Sequence, residues 1–513
     1  MTVDFLRDQS PEFGRNFRID CLLLFAYKQN QIPMRFDLDS TTRRRLGYHL
    51  IDQIDNFFAS LPDRHVQLPV EQRTFAALNN PLPEIGEDAG QVLDEVFRAM
   101  VDKGFHVPSA NYFGLMNPTP TYVGVLAEAL VAALNPQLAT VKRSQLASKI
   151  EHETVRWIGE RVGWPGEFNG TFTSGGNEAN FSGLALALAA KFPDAIEDGV
   201  TSIGAQPVLY ASGEAHHSMD KSAGLLGVGR KALRRIPVNE NVQLDPRILE
   251  QTIKADLASG KKPFCVVGTT GTTNTGAVDD LVAIADICRR YELWLHVDGA
   301  YGGSAIFSDQ HRSLLRGIEQ ADSITIDPHK WMAMPLAAGV ILTCHPEMLE
   351  RAFAIAAPYM PKAAESKGLD NSRISTQWTR RMNSLKLWLT LRVHGRKAYE
   401  EHIDRQLDLA RSFASWLQAS EHFELAAPQV LPIVAFRLKA SLSQQQLAEA
   451  HAGIVEEVTS DGSRWISDTR VNGRSVLRMM VVSYLTEERH LGELEKALAA
   501  AVSKLRLAPE SLA

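Results

Sequence analysis

Five short apolar runs in the middle of the chain constrain its fold more than any other feature. They are PVLYAS (207–212), FCVVGTT (264–270), LWLHVDGA (293–300), SITID (323–327) and GVILTC (339–344). Continuous apolar runs of this length read as strands buried on both faces, not as half-exposed strands that alternate. Helical patterns such as LVAIADICRRYE lie between several of them. The runs starting at 264, 293 and 323 are spaced by about 30 residues, the length of a strand–helix–strand unit. The pattern predicts an α/β fold with a mostly parallel sheet covered by helices on both faces. In such a sheet a ligand binds beyond the carboxyl ends of the strands, so the polar residues directly after each run become the candidates.

The flanks read differently. Residues 39–105 and 121–163 carry helical patterns, and after about residue 365 a long helical stretch leads into QVLPIVAFRLKA and SVLRMMVVSY, which suits a smaller α+β domain. The regular pattern starts only near Asp39, so residues 1–38 read as an N-terminal extension, with Met34 a possible alternative start. A net charge of −6 among 513 residues offers no electrostatic reason to expect nucleic acid. Four scattered cysteines without a CxxC pair argue against a disulfide framework and a zinc site, and point to a cytoplasmic setting. Cys265 and Cys344 lie in strand-like runs and read as core. No stretch reaches the roughly 18 apolar residues of a membrane span.

Each strand exit carries a chemical feature. TFTSGGNEAN (171–180) runs into Gly175 and Gly176 at a helix start, either an anion cradle or a plain tight turn. It lacks the GxGxxG fingerprint and a Walker lysine. ASGEAHHSMDKS places His216 and His217 after the next strand, with no third metal ligand evident. IEHETVRW contains HExxR and so fails as a zinc-protease helix. GTTGTTNTGAVDD supplies hydroxyls. HVDGAYGGS sets Asp298 beside small residues that leave room for a flat ligand, although such an Asp can equally be a helix cap. SITIDPHKWMAM presents His329, Lys330 and Trp331 together. A phosphate cradle, an Asp, a His and a Lys around one sheet edge are what pyridoxal phosphate requires: a lysine for the Schiff base and a carboxylate for the ring nitrogen. Packing against Trp331 would favour a neutral, nucleophilic Lys330 by desolvation.

With these motifs the chain resembles the group II pyridoxal-phosphate-dependent amino-acid decarboxylases over roughly residues 39–500. The pair HVDGAYGG and DPHKW carries the resemblance, supported by TSGGNEAN, SGEAHHS and RRMNSLKLW. It implies the type I, aspartate-aminotransferase-like fold, with a large cofactor domain (121–385), a small C-terminal domain (386–513) and an N-terminal helical segment (39–120) packing on the partner subunit of a homodimer with a shared active site. By position, Lys330 would carry the cofactor, Asp298 would pair with its ring nitrogen, Ala300 would lie on one ring face and His216 on the other. Gly175, Gly176, Asn177 and Asp327 fall where the family holds the phosphate, and Thr273 and His329 at further active-site positions. Asp327 departs from the asparagine of many members. Tyr359 falls where the animal aromatic enzyme has a proton-donating loop tyrosine, typically phenylalanine in related aldehyde synthases. The substrate pocket would include Leu115, Met116, Gln137 and Ala139, with Arg478 nearby; Lys142 and Arg143 would attract an acidic side chain or form a solvated turn. The implied reaction is decarboxylation of an L-amino acid to the amine and CO2, without a metal. The alternatives are a same-fold aldehyde synthase, C–C lyase or aminotransferase, or a cofactor-binding protein without decarboxylase activity.

Overall fold

All five apolar runs are strands of one sheet. The computed structural model describes residues 36–68, 81–355 and 370–505; Cys21, Tyr359 and residues 1–35 of the expected extension lie outside the described residues. The large sheet contains β1 (Asn169–Thr173), β2 (Pro207–Ser212), β3 (Leu233–Ile236), β4 (Lys262–Thr269), β5 (Trp294–Asp298), β6 (Ser323–Ile326) and β7 (Gly339–Thr343). Their spatial order is β1-β7-β6-β5-β4-β2-β3. Strands β2 to β6 are mutually parallel, and β7 runs against both its neighbours β6 and β1. The sheet is therefore mixed but mostly parallel, as the apolar runs predict.

Successive side chains of these strands feed two opposite cores, which is why the runs show no polar alternation. Val208, Tyr210, Val266, Val340 and Leu342 join one apolar cluster. Leu209, Ala211, Cys265, Val267 and Ile341 join the other, under the helix Gly176–Lys191. Between β4 and β5 the helix Leu281–Arg290 is capped by Asp280, whose side chain accepts from the Ala283 N–H at 3.1 Å. Its buried stripe Leu281, Ile284, Ala285 and Cys288 faces the sheet. The β5–β6 connection is built from three short 3₁₀ turns instead of a helix.

Sequence periodicity missed β3. Its LRRI is an edge strand, and Arg234 and Arg235 pair outward with Asp256 and Asp220. Cys344 is not core. It follows the last residue of β7, is half-buried, and directs its Sγ at the Ala321 carbonyl (3.5 Å); Cys288, on the helix stripe, is the buried thiol alongside Cys265.

A second, antiparallel sheet has the order β10-β11-β9-β8, with β8 (Phe423–Leu425), β9 (Ile433–Leu438), β10 (Ser467–Val471) and β11 (Arg474–Met480). The helices Gln444–Thr459 and Glu488–Lys504 cover it over a separate apolar core. The helix Ser40–Ser60 starts where Asp39 accepts the Thr41 and Thr42 N–H groups (2.8 and 3.0 Å), and belongs with residues 87–92 to a compact unit of its own.

The near-motif IEHETVRW serves the fold. Glu151 is buried and takes Arg380 Nη1 (2.9 Å), Asn371 Nδ2 (3.0 Å) and the Phe172 N–H (3.2 Å), tying β1 to the segment that follows residue 370. Replacing Arg380 with alanine strands a buried charge and is expected to cost about 3–5 kcal/mol. The midpoint of denaturant unfolding reads this directly, and an unchanged midpoint would show the pair to be dispensable.

Candidate active site

The carboxyl ends of β4, β5 and β6 open into a cavity of about 310 Å³, also bordered by the start of the helix Gly176–Lys191. Thr269 ends β4, Asp298 ends β5, Asp327 follows β6, and His216 stands in the turn after β2; all four line the cavity. Gly175, Gly176, Asn177, Thr273, Ala300, His329 and Lys330 line it as well. Residues scattered over 150 positions meet because parallel strands end on one edge.

Asp298 is buried. Its Oδ1 accepts the Ala300 N–H (3.2 Å) and its Oδ2 accepts Asn180 Nδ2 (3.1 Å). Among the described residues it has no ion-pair partner, a costly state for a buried carboxylate unless a cation completes it. Lys330 Nζ instead lies 3.2 Å from Asp327 Oδ2, one turn back along the chain. Asp327 Oδ1 is buried and unpartnered. Trp331 departs from expectation: its ring is fully buried, stacks on Tyr301 at 5.2 Å and donates to Gln406, so the core takes the apolar face that sequence placed beside the lysine.

The glycine pair is sterically required. A Cβ on Gly176 would stand 2.4 Å from Asp327 Oδ2, and Gly175 holds a φ of +149° with its Cα hydrogens toward His329. Gly175 offers no side chain to the first-turn N–H groups of the helix, which leaves that N-terminus open to an anion. The imidazoles of His216 and His329 are both held below their ordinary pKa, chiefly by desolvation; Lys330 pushes the same way, while Asp298 opposes at His216 and Asp327 at His329.

The expected substrate residues divide. Met116 lines the cavity. Leu115 is turned to solvent, Gln137 offers its carbonyl to Ser144, and Ala139 offers its carbonyl to the Ser372 N–H (3.0 Å). None of these three reaches the cavity, because irregular segments have no period from which to read a facing. Arg143 is exposed and bonds Gln137, the solvated-turn alternative. Arg478 is buried and does not line the cavity; its Nη1 donates to the Thr273 carbonyl at 2.9 Å, in the loop that borders the cavity. Sequence reasoning passed over Asn180, although it lies four residues after Gly176 and hence on the same helix face.

The conserved domain of pyridoxal-dependent decarboxylases matches residues 71–439. The chain belongs to the pyridoxal-dependent decarboxylase family. It is 31% identical over 475 residues to the aromatic-L-amino-acid decarboxylase of Bacillus atrophaeus, covering 91% of this chain and 97% of that one. It is 28% identical over 453 residues to the 4-hydroxyphenylacetaldehyde synthase of Rhodiola rosea, covering 87% and 92%. Among solved structures it resembles the Oryza sativa TDC with PLP and tryptamine, with a TM-score of 0.86, 26% identity and coverage of 92% and 99%. This decarboxylase therefore has the type I pyridoxal-phosphate fold, uses pyridoxal 5'-phosphate and decarboxylates an amino acid. The cavity suits that cofactor. It offers a glycine cradle at a helix N-terminus for a phosphate, a buried carboxylate, Asp298, that has no ion-pair partner among the described residues for a cationic ring nitrogen, and one lysine amine.

Proposed function

We propose that this decarboxylase converts an L-amino acid to the amine and CO2, with Lys330 holding the cofactor and Asp298 paired to its ring nitrogen. The observation that carries the reading is the buried Asp298 carboxylate without a cation, in the same cavity as Lys330. When bound, the cofactor supplies an electrophilic carbon for the substrate amine and a cationic ring that takes up the electrons of the broken Cα–carboxylate bond. The chain's own residues bind, orient and move protons. Gly175, Gly176 and Asn177 receive the phosphate; Asp327, buried beside them, acts on Lys330. Its Oδ2, 3.2 Å from Nζ, orients the amine that attacks the cofactor. His216 and Ala300 flank the ring. His216 is fixed by Ser218, whose Oγ lies 2.9 Å from Nδ1. Thr273, held by Arg478, and His329, anchored at the Ala338 backbone, complete the wall.

Tyr359 is the proton donor to the substrate Cα in this reading, a role open to a phenol, which as a residue type keeps its proton at neutral pH. Tyr359→Phe is then expected to divert turnover to oxidative deamination. There one amino acid, O2 and water give the aldehyde, CO2, ammonia and hydrogen peroxide. Assaying amine, CO2 and peroxide side by side for the wild type and the variant tests the reading. Amine and CO2 in equal amounts from the wild type support it, and aldehyde with peroxide from the wild type would make this chain an aldehyde synthase.

The proposal includes a cytoplasmic homodimer, with residues 39–120 packing on the partner, 121–385 as the cofactor domain and 386–513 as the small domain. Leu126, Leu130 and Leu134 form an exposed stripe along the helix Tyr122–Leu134. Pro335 packs on Gly124 of that helix, and its neighbour Leu336 is exposed at the cavity wall. A second copy over this stripe would close the cavity. Leu130→Lys is expected to shift the sedimenting species from dimer to monomer and to lower activity with it; an unchanged dimer would place the interface elsewhere. The buried free thiols Cys265 and Cys288 suit a reducing compartment.

A further inference from the structure

From Asp298 a line of buried polar groups leads back along β5, beneath the helix Gly176–Lys191, starting at Asn180, which also borders the cavity. Asn180 Nδ2 donates to Asp298 Oδ2 at 3.1 Å and to Ser218 Oγ at 3.0 Å. Its Oδ1 is 3.0 Å from His296 Nε2. His296 Nδ1 is 2.8 Å from Ser323 Oγ, and Trp294 Nε1 donates to that same Oγ at 2.8 Å. Asn180, His296 and Ser323 are all at most 1% exposed.

The chemistry of the groups fixes every direction. An amide nitrogen and an indole N–H can only donate. Asn180 Oδ1 is therefore an acceptor, and His296 carries its proton on Nε2. Nδ1 is left as an acceptor and takes the Ser323 hydroxyl proton, while Ser323 Oγ accepts from Trp294. Donation runs one way, from Trp294 through Ser323, His296 and Asn180 to the Asp298 carboxylate. Aligned hydrogen bonds in a low-dielectric interior polarise one another in the same sense. Burial holds the His296 imidazole down at a pKa of about 4, with Asp298 opposing, so the ring stays neutral and keeps this polarity at working pH.

The helix above has made room for the arrangement. A Cβ on Gly183 would stand 2.3 Å from His296 Cε1. Gly176, Asn180 and Gly183 lie on one stripe at i, i+4 and i+7, so the face that borders the cavity also seats the imidazole. A glycine inside a helix costs about 1 kcal/mol against alanine, and here it admits a ring that any side chain would displace.

We propose that the Trp294–Ser323–His296–Asn180 chain is a one-way hydrogen-bond relay that holds the Asp298 carboxylate aimed into the cavity, which makes His296 and Asn180 positioning residues for the decarboxylation. The inference rests on the reading that Asp298 pairs with the cofactor ring. Among the described residues this buried carboxylate has no ion-pair partner, and hydrogen bonds from Asn180 and the Ala300 N–H compensate it in part. The relay thus holds the carboxylate in place before the cofactor arrives.

The test uses the full chain and three substitutions, His296→Leu, His296→Gln and Ser323→Ala. It reads the pyridoxal phosphate dissociation constant by absorbance titration, the visible spectrum of the loaded protein, kcat and KM separately, and the melting temperature of the cofactor-free protein. His296→Leu is expected to weaken cofactor binding and lower kcat by about 10- to 100-fold, as loss of a ligand-orienting partner does elsewhere, with KM for the amino acid little changed. His296→Gln keeps a side-chain donor for Asn180 and is expected to recover most of the loss. If His296→Leu does not fold, Ser323→Ala decides, with weaker cofactor binding and an altered spectrum expected. Unchanged cofactor affinity and spectrum in His296→Leu, or in Ser323→Ala where the former is unfolded, overturns the relay. Asp298→Asn separates the two ideas. If it is silent, the pairing of Asp298 with the ring is wrong; if it is severe while the relay variants are silent, only the relay is wrong.

Discussion

Lys330→Ala is expected to lower kcat for CO2 release by about 10³-fold or more, the scale lost when a positioned covalent group is removed. Lys330 is the one lysine that lines the cavity among the described residues, so no neighbouring amine substitutes for it. Its side chain is partly exposed, and among the described residues its ionic contact is with Asp327 alone. Removal therefore leaves the fold intact, and far-UV circular dichroism is expected to match the wild type. Absorbance of the bound cofactor in the violet range is expected to disappear in the variant even at saturating pyridoxal phosphate. Retention of both the band and the activity would mean that another amine carries the cofactor.

The second large effect is expected at Asp298. Asp298→Asn keeps the shape and removes the charge, and it also places an amide NH2 against either the Ala300 N–H or the Asn180 Nδ2, both of which donate. Removing a preorganised charge aimed at the reacting system costs about 10²–10³-fold in kcat. Cofactor affinity is expected to fall with it, because a cationic ring nitrogen then finds no counter-charge. Steady-state kinetics with a cofactor titration reads both. Wild-type kcat in Asp298→Asn would remove this carboxylate from the reaction.

Both predictions concern residues that the sequence alone singles out. Asp298 ends β5 and Lys330 lies in the turn after β6, and a buried parallel sheet brings every such exit to one edge. The glycine pair is legible for the same local reason: a strand, two glycines and a helix in immediate succession admit few conformations. Leu115 and Met116 mark where local reading ends. They are adjacent, one meets solvent and the other the cavity, and no periodicity in NYFGLMNPTP tells them apart. Trp331 shows the same limit: it follows Lys330 in the chain, yet its ring is buried against Tyr301 and does not line the cavity.

The sequence by itself determined the α/β class, the strands that bear the site, the cofactor chemistry and the residues at the strand exits. These follow from hydrophobic period and chain neighbourhood, which act over a few residues. Tertiary structure alone decided which distant groups meet: Asn180 with Asp298, 118 positions apart, Glu151 with Arg380, 229 apart, and Arg478 with the Thr273 carbonyl, 205 apart. A repeating pattern states which face of an element is buried, but what lies opposite that face is set by how whole elements pack.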